Sequence, residues 1–520
     1  MPKQQTDYLI QLIKSLSKAE KRYFRLFVTR NQASDDILFL QLFDLIDKIK
    51  RYDEQLILQR IPGIKKRQLS NLKAHLYKQL LLCLRLMNRT NNLDIELRER
   101  LDYARVLYNK GLYRQSLEIL DKTKSKAAQN KQHHLVLETI EFEKLIESQY
   151  ITRSIESRAD QLTSEALQTS RMISRIHEFS NLSLRLYGLY IKGGFVRNKK
   201  EYLFIKEFFN ANLPKYKIQD LDFYEKVYLC QAFCWYYHMT QDFLLYYRYA
   251  QKWKELFDEE PQMIRLELAL YLKSLHNILT ALFMLWQHDK FSTVLQELEK
   301  VCENPIIRQE KNLESLSFLF TYIHKINKHY MEGTFTEGLQ LVPKLIEEIE
   351  NETYNWDDRR IMVFYYKIAC LYFGSGDNEN AIHYLNLIIN RGYIGMSQDI
   401  QCFARILCLI AHFELGNDLL VEYQVRSVYR FLSKMEDLHM VQNEILKFIR
   451  KLPRIQRSDL KKEFIRLRNN LARIRQAPFE KRPFLYLDII SWLESKIENR
   501  SVQSVMREKF QDSIGPLEDD

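Results

Sequence analysis

The stretch LYFGSGDNENAIHYL, residues 371–385, decides how the chain is read. It holds two of only 13 glycines, Gly374 and Gly376. A Gly-x-Gly of this kind either cradles a phosphate or turns the corner between two helices. A phosphate loop follows a strand, and its commonest form ends in Gly-Lys-Ser/Thr. Here no alternating strand pattern precedes Gly374, and neither Lys nor Thr follows Gly376. Small and apolar residues recur instead at helical spacing: Ala369 and Tyr372 before Gly376, then Ala381, Leu385 and Ile388 after it. A glycine between two such stripes supplies the left-handed residue that closes a helix. A slim residue five positions later lets the next helix pack close.

The same offsets recur elsewhere. Around Gly111 they fall on Ala104, Leu107, Ser116, Leu120 and Thr123. Around Gly333 they fall on Ile326, His329, Gly338, Val342 and Leu345, and around Gly416 on Leu409, His412, Val421, Val425 and Val428. Looser copies centre on Gln241 (Cys234, Tyr237, Tyr246, Ala250, Trp253) and Asp289 (Leu282, Leu285, Val294, Leu298, Val301). A diverged copy turns near KGGF, 192–195. Over roughly 95–435 this pattern resembles the tetratricopeptide (TPR) repeat, a helix–turn–helix unit that stacks into a superhelix. Turn centres at 241, 289, 333, 376 and 416 are spaced by 48, 44, 43 and 40 residues. The TPR period is about 34, so either the helices are longer or the linkers carry extra turns. The expected fold is all-α: a TPR-like α-solenoid of helical hairpins, with an N-terminal helical unit and C-terminal capping helices.

Bulk composition agrees. Gly (13) and Pro (10) are scarce in 520 residues, which leaves little material for hairpin turns. Hydrophobic residues make up 46%, with 31 Tyr and 29 Phe to fill gaps between helices. The most apolar run, Asn277 to Trp286, is ten residues, whereas a membrane span needs about 20. No signal or transit peptide is read at the start. Seven scattered cysteines without a CxxC fit a reducing compartment, so the expected location is cytoplasmic.

The net charge of +11 is unevenly placed: 1–90 and 447–482 each carry +10, and the rest is mildly acidic. Residues 1–90 read as a basic helical unit. Ser17 to Glu20 forms a capping box opening a helix striped by Tyr23, Phe24 and Phe27. Pro62-Gly63 breaks the next helices, and a long one starts near Lys66 with Leu69, Leu72, Leu76, Leu80, Cys83 and Met87 inward. Read as a helix-turn-helix, it exposes Lys65, Lys66, Arg67, Ser70, Asn71 and Lys73 for nucleic-acid contact. Residues 436–510 read as basic capping helices, with Ser458 as an N-cap, and 511–520 as a disordered tail.

The sequence offers no support for an enzyme. GxxxxGK[ST], a strand-borne GxGxxG, HExxH and Gly-x-Ser-x-Gly are all missing. His133 and His134 are adjacent, and His324 and His329 are five apart, both poor metal pairs. No metal and no cofactor are expected. What remains is surface. The TPR resemblance implies an inner groove lined by positions thirteen, ten, six and three before each turn. These are Phe320, Ile323, Asn327 and Tyr330; Val363, Tyr366, Cys370 and Phe373; Phe403, Ile406, Ile410 and Phe413. For the copy at Asp289 they are His276, Leu279, Phe283 and Trp286. TPR modules that grip a C-terminal carboxylate use Lys, Arg and Asn there, and only Asn327 resembles that, which argues against such a clamp. The groove either holds an amphipathic or hydrophobic segment or is closed by the chain's own elements. The expected function is a protein-interaction scaffold whose partner is another polypeptide. The alternative is a DNA-binding regulator using the N-terminal unit.

Overall fold

The computed structural model describes residues 4–29, 34–49, 53–89, 92–149, 157–391, 398–432, 440–452, 455–456, 458–477, 479–480 and 488–514. Among them every regular element is a helix, and none is long and apolar enough to cross a membrane. The chain forms two compact units, Met1–Ser174 and Arg175–Asp520.

The first unit begins with α1 (Gln4–Ser15), α2 (Lys18–Thr29), α3 (Ser34–Lys48), α4 (Glu54–Arg60) and α5 (Lys66–Asn88). The Ser17 hydroxyl accepts from the Glu20 amide at 3.2 Å, and the Glu20 carboxylate accepts from the Ser17 amide at 2.7 Å. This reciprocal pair satisfies two donors that the start of α2 would otherwise leave open. Phe24, Phe43, Ile57, Leu69, Leu76, Leu80 and Cys83 share the core. Each large side chain taken fully out of water contributes about 1.5–3 kcal/mol. Next come α6 (Leu93–Asn109), α7 (Tyr113–Gln129) and α8 (His133–Gln149). Gly111 closes α6 at φ +76°. Ser116, five residues on, is fully buried and donates its hydroxyl to the Ala104 carbonyl at 2.8 Å. The slim residue thus also ties the two arms. Lys131 makes the left-handed corner between α7 and α8. α9 (Arg158–Gly193) is one helix of 36 residues and contributes to both units. It ends at Gly194, φ +71°.

The second unit continues with α10 (Lys199–Asn212), then α11 (Phe223–Met239) and α12 (Phe243–Glu259) about Gln241. A single-turn connector, α13 (Gln262–Leu266), leads to α14 (Leu268–Met284) and α15 (His288–Cys302). Another, α16 (Pro305–Gln309), leads to α17 (Lys311–Glu332). After the Gly333 corner the second arm is broken into α18 (Phe335–Gly338), a 3-10 turn and α19 (Val342–Glu350), where Pro343 lacks the amide a continuous helix needs. Then follow α20 (Asp358–Ser375) and α21 (Asn378–Ile389), and α22 (Gln398–Glu414) and α23 (Asp418–Leu432). Consecutive helices pair along this series. The connectors α13 and α16 and the 22-residue α17 lengthen the intervals between 241 and 333.

The opening stretch separates into two roles. Gly376 caps α20 at φ +93° with nothing close to it. Gly374 lies inside α20 against the Phe335 ring; a Cβ there would stand 2.4 Å from the ring's Cγ. Ala369, Ala381, Leu385 and Ile388 are fully buried between the arms, and Tyr372 stacks on Tyr384 at 5.7 Å.

One turn differs from expectation. The left-handed residue between α14 and α15 is Trp286, φ +58°, not Asp289. The offsets counted from Trp286 fall on Leu279, Leu282, Phe291, Leu295 and Leu298, all buried. The register had slipped by three residues because leucines at 279, 282 and 285 are themselves spaced by three.

The C-terminal helices are α24 (Met440–Lys451), α25 (Leu460–Ile474), α26 (Ile489–Glu498) and α27 (Val502–Ile514). Ser458 is not the N-cap of α25; Asp459 holds that place, in helical backbone and without a capping bond. α24, α25 and α26 bury Ile445, Phe448, Phe464 and Trp492 with the α22 core. α27 runs along the corners. Gln503 accepts from the Thr336 amide at 3.0 Å, Arg507 pairs with Glu337, and the Phe510 ring meets His288 at 4.6 Å. Residues 511–514, expected as tail, belong to this helix; 515–520 lie outside the described residues.

Candidate functional site

The candidate groove residues divide by what covers them. Phe413 projects from α22 toward α25 and α26. Phe403 is buried, and Phe413 lies edge-on to Phe464 at 6.2 Å and Trp492 at 6.4 Å. At this end α24–α26 share a core with α22. Along α14, α17 and α20, Phe283, Phe320, Tyr366 and Phe373 are buried and Tyr330 is half-buried. Trp286 is 37% exposed and sits at the corner rather than on the helix face.

Between those three helices runs a seam of polar groups. His276 of α14 stacks flat on Phe320, ring centres 4.1 Å apart. Its Nδ1 is 2.9 Å from Nε2 of the fully buried His324 on α17. His324 Nδ1 lies 3.4 Å from Asn327 Nδ2, and Asn327 Oδ1 accepts from Lys367 Nζ of α20 at 2.5 Å. One proton assignment satisfies the whole chain. Lys367 donates to Asn327, whose amide donates to His324 Nδ1, so His324 carries its proton on Nε2 and donates to His276 Nδ1. Both rings are then neutral. Electrostatics agree: burial, then the nearby Lys367 charge, pushes His276 down to about 4. Burial, then His276 and Lys367, holds His324 well below its usual value. Burial brings the Lys367 ammonium down to about 8. The Tyr330 hydroxyl fixes the helix beneath by donating to the Lys367 carbonyl at 2.5 Å.

Lys367 was not among the residues singled out from the sequence, yet a signal was there. It is the one charged residue between Arg360 and Asp377. A lone lysine in IMVFYYKIACLYF, 361–373, is conspicuous because ammonium groups are rarely placed on an apolar face without a reason. His324 was weighed only against His329, with which it shares no bond; its partner is His276, 48 residues away.

In the N-terminal unit, Lys65, Lys66, Arg67, Ser70 and Asn71 are exposed around the first turns of α5. Lys73 is half-buried, and burial lowers its ammonium pKa against the opposing charge of Glu54. Among the described residues no group of three or more His, Cys, Asp or Glu could hold a metal ion. No family model, no curated protein and no solved structure matches the chain.

Proposed function

We propose that the chain is a non-enzymatic, TPR-like α-solenoid scaffold that binds another polypeptide along the inner-helix faces of its hairpins. The observation that supports this is the seam itself. Three hairpins in succession contribute rings and polar groups to one line, from His276 and Phe320 to Asn327, Tyr330 and Lys367. His276, Tyr330 and Lys367 of this line are half-buried rather than buried, and a surface drawn from successive repeats suits an elongated segment better than a small molecule. Trp286 stands exposed beside Phe283, at 6.1 Å, as an aromatic anchor.

A random-peptide library panned on the full chain tests the reading. Enriched peptides are expected to bind Trp286→Gly at least about tenfold more weakly, about 1.4 kcal/mol. Glycine suits the left-handed backbone at 286, so the substitution removes the ring and spares the corner. Failure to enrich any peptide, or equal affinity for the variant, refutes it.

A second reading has its own observation, the exposed cations and amides at the start of α5 after the Pro62-Gly63 break. Binding of duplex DNA there is expected to weaken steeply with salt and to vanish in Lys66→Glu/Arg67→Glu with helicity intact. Retained binding in that variant removes this alternative.

A further inference from the structure

Among the described residues Lys367 is the one charged group of the seam, and none of them supplies it with a counter-charge. Its Nζ meets Asn327 Oδ1 and stands 5.3 Å from the Tyr330 ring centre and 5.8 Å from that of Phe283. The titratable groups facing it are His276 from α14, His324 and Tyr330 from α17, and Cys370 on its own helix. None is an anion near neutral pH: burial holds both histidines neutral and pushes the Tyr330 hydroxyl and Cys370 thiol up. Among the described residues Lys367 forms no ion pair. Other half-buried lysines of the chain do: Lys124 lies 3.0 Å from Glu143 and Lys254 lies 3.3 Å from Glu297. An ammonium has three hydrogens to place, and Asn327 takes one. The flanking rings offset part of the cost of burying the charge, but cation–π contacts of this length do not replace an anion. Asn327 cannot turn its amide toward a newcomer, because that group is engaged with His324.

We propose that Lys367 Nζ receives the side-chain carboxylate of an aspartate or glutamate carried by the bound polypeptide. This rests on the scaffold reading above and specifies what the polypeptide presents at one point. The rings beside the seat are Phe283 and Tyr330, so the residues flanking the acid are apolar. A single ammonium with two hydrogens left over matches one carboxylate, and an extended run of phosphates would find no second cation beside it among the described residues.

The test is the titration of that amine in the full chain. Lysines are labelled with carbon-13 at Cε during expression, which leaves the ammonium unmodified, and the Lys367 resonance is assigned by its loss in Lys367→Met. In chloride it is expected to titrate near 8. The probe is a blocked peptide, acetyl-Leu-Phe-Glu-Phe-Leu-amide, with its glutamine counterpart as control. A second control is acetyl-Leu-Phe-Gln-Phe-Leu with a free carboxyl end. Sodium acetate at matched ionic strength is the third. The glutamate peptide is expected to raise the titration by about one unit, a tenfold preference for the charged amine. The glutamine counterpart is expected to leave it in place. Equal titrations with the two blocked peptides overturn the proposal, as does the absence of a shift in every arm. A shift with the free carboxyl end alone transfers the seat to a chain terminus. An acetate shift equal to that of the glutamate peptide makes it a small-anion site. Both of those results overturn the side-chain assignment. The scaffold reading stands or falls separately, on whether the panned library enriches peptides sensitive to Trp286.

Discussion

The two glycines of residues 374–376 are expected to fail for different reasons when each is replaced by alanine, and the difference is measurable. In Gly374→Ala the new methyl carbon falls 2.4 to 2.6 Å from three carbons of the Phe335 ring, where ordinary contact is 3.4–4 Å. The ring must retreat by about 1 Å, and it is buried, with Tyr330 5.9 Å away on one side. Overpacking of this kind costs about 1–3 kcal/mol. Alanine returns about 1 kcal/mol of helix propensity, so the net loss is about 0–2 kcal/mol. Gly376→Ala meets no atom within 4 Å. Its cost is the left-handed backbone alone, about 1–2 kcal/mol. The totals overlap and only the mechanisms differ, so the decisive measurement is a double-mutant cycle with Phe335→Ala, which removes the three carbons that the methyl would meet. Removing that ring makes room for the methyl at 374 and does nothing for 376. A coupling of about 1 kcal/mol or more is expected for the 374 pair and about zero for the 376 pair. Urea unfolding of the full chain by circular dichroism supplies the free energies, and hydrogen exchange of α20 amides locates the change. Zero coupling between 374 and 335 would refute the packing of that ring against Gly374.

Three further outcomes are expected. His276 titrates at about 4 in the folded protein against an ordinary 6.5, so the unfolded chain binds more protons between those values. Stability present above 6.5 is therefore lost as pH falls toward 4, by up to about 3 kcal/mol; His276→Phe keeps the stack on Phe320 and should flatten the melting temperature against pH, and parallel curves would contradict the neutral pair. Gly333→Ala places its Cβ 2.6 Å from the Arg507 amide nitrogen, in left-handed backbone besides; it should cost about 1–3 kcal/mol more than Gly376→Ala and speed tryptic cleavage at Arg507, and equal costs would mean α27 is not docked there. Ala381→Trp forces an indole into the fully buried contact of α20 with α21 and should destabilise by about 1–3 kcal/mol, whereas a neutral result would break the hairpin assignment.

The corners at Gly111, Gly333, Gly376 and Gly416 were legible because positive φ is cheapest for glycine, and all four adopt it. Lys131, Gln241 and Trp286 adopt it too, at a cost that nothing in their side chains announces. Where glycine was missing, only the apolar spacing remained, and a three-residue slip at 286 satisfied it equally well. The seam was half legible. Asn327 and His276 were reached by counting back from corners, although His276 came from the slipped register. The His276–His324 bond joins separate hairpins, so it depends on how the arms pack, which periodicity along one helix does not carry. The core that α24–α26 share with α22 is likewise a matter of where the chain returns, and Phe403 and Phe413 look alike in sequence whether covered or bare.

Helical hairpins depend on contacts near in sequence and can form as they leave the ribosome. The α27 helix alters that timetable. Thr336 waits for Gln503, 167 residues later, and Glu337 waits for Arg507, 170 residues later. Until residues 502–510 have been synthesised, the corner at Gly333 stays uncovered, so the middle hairpins are born early and finished late. A premature stop between α23 and α27 would therefore injure hairpins whose own sequence is intact.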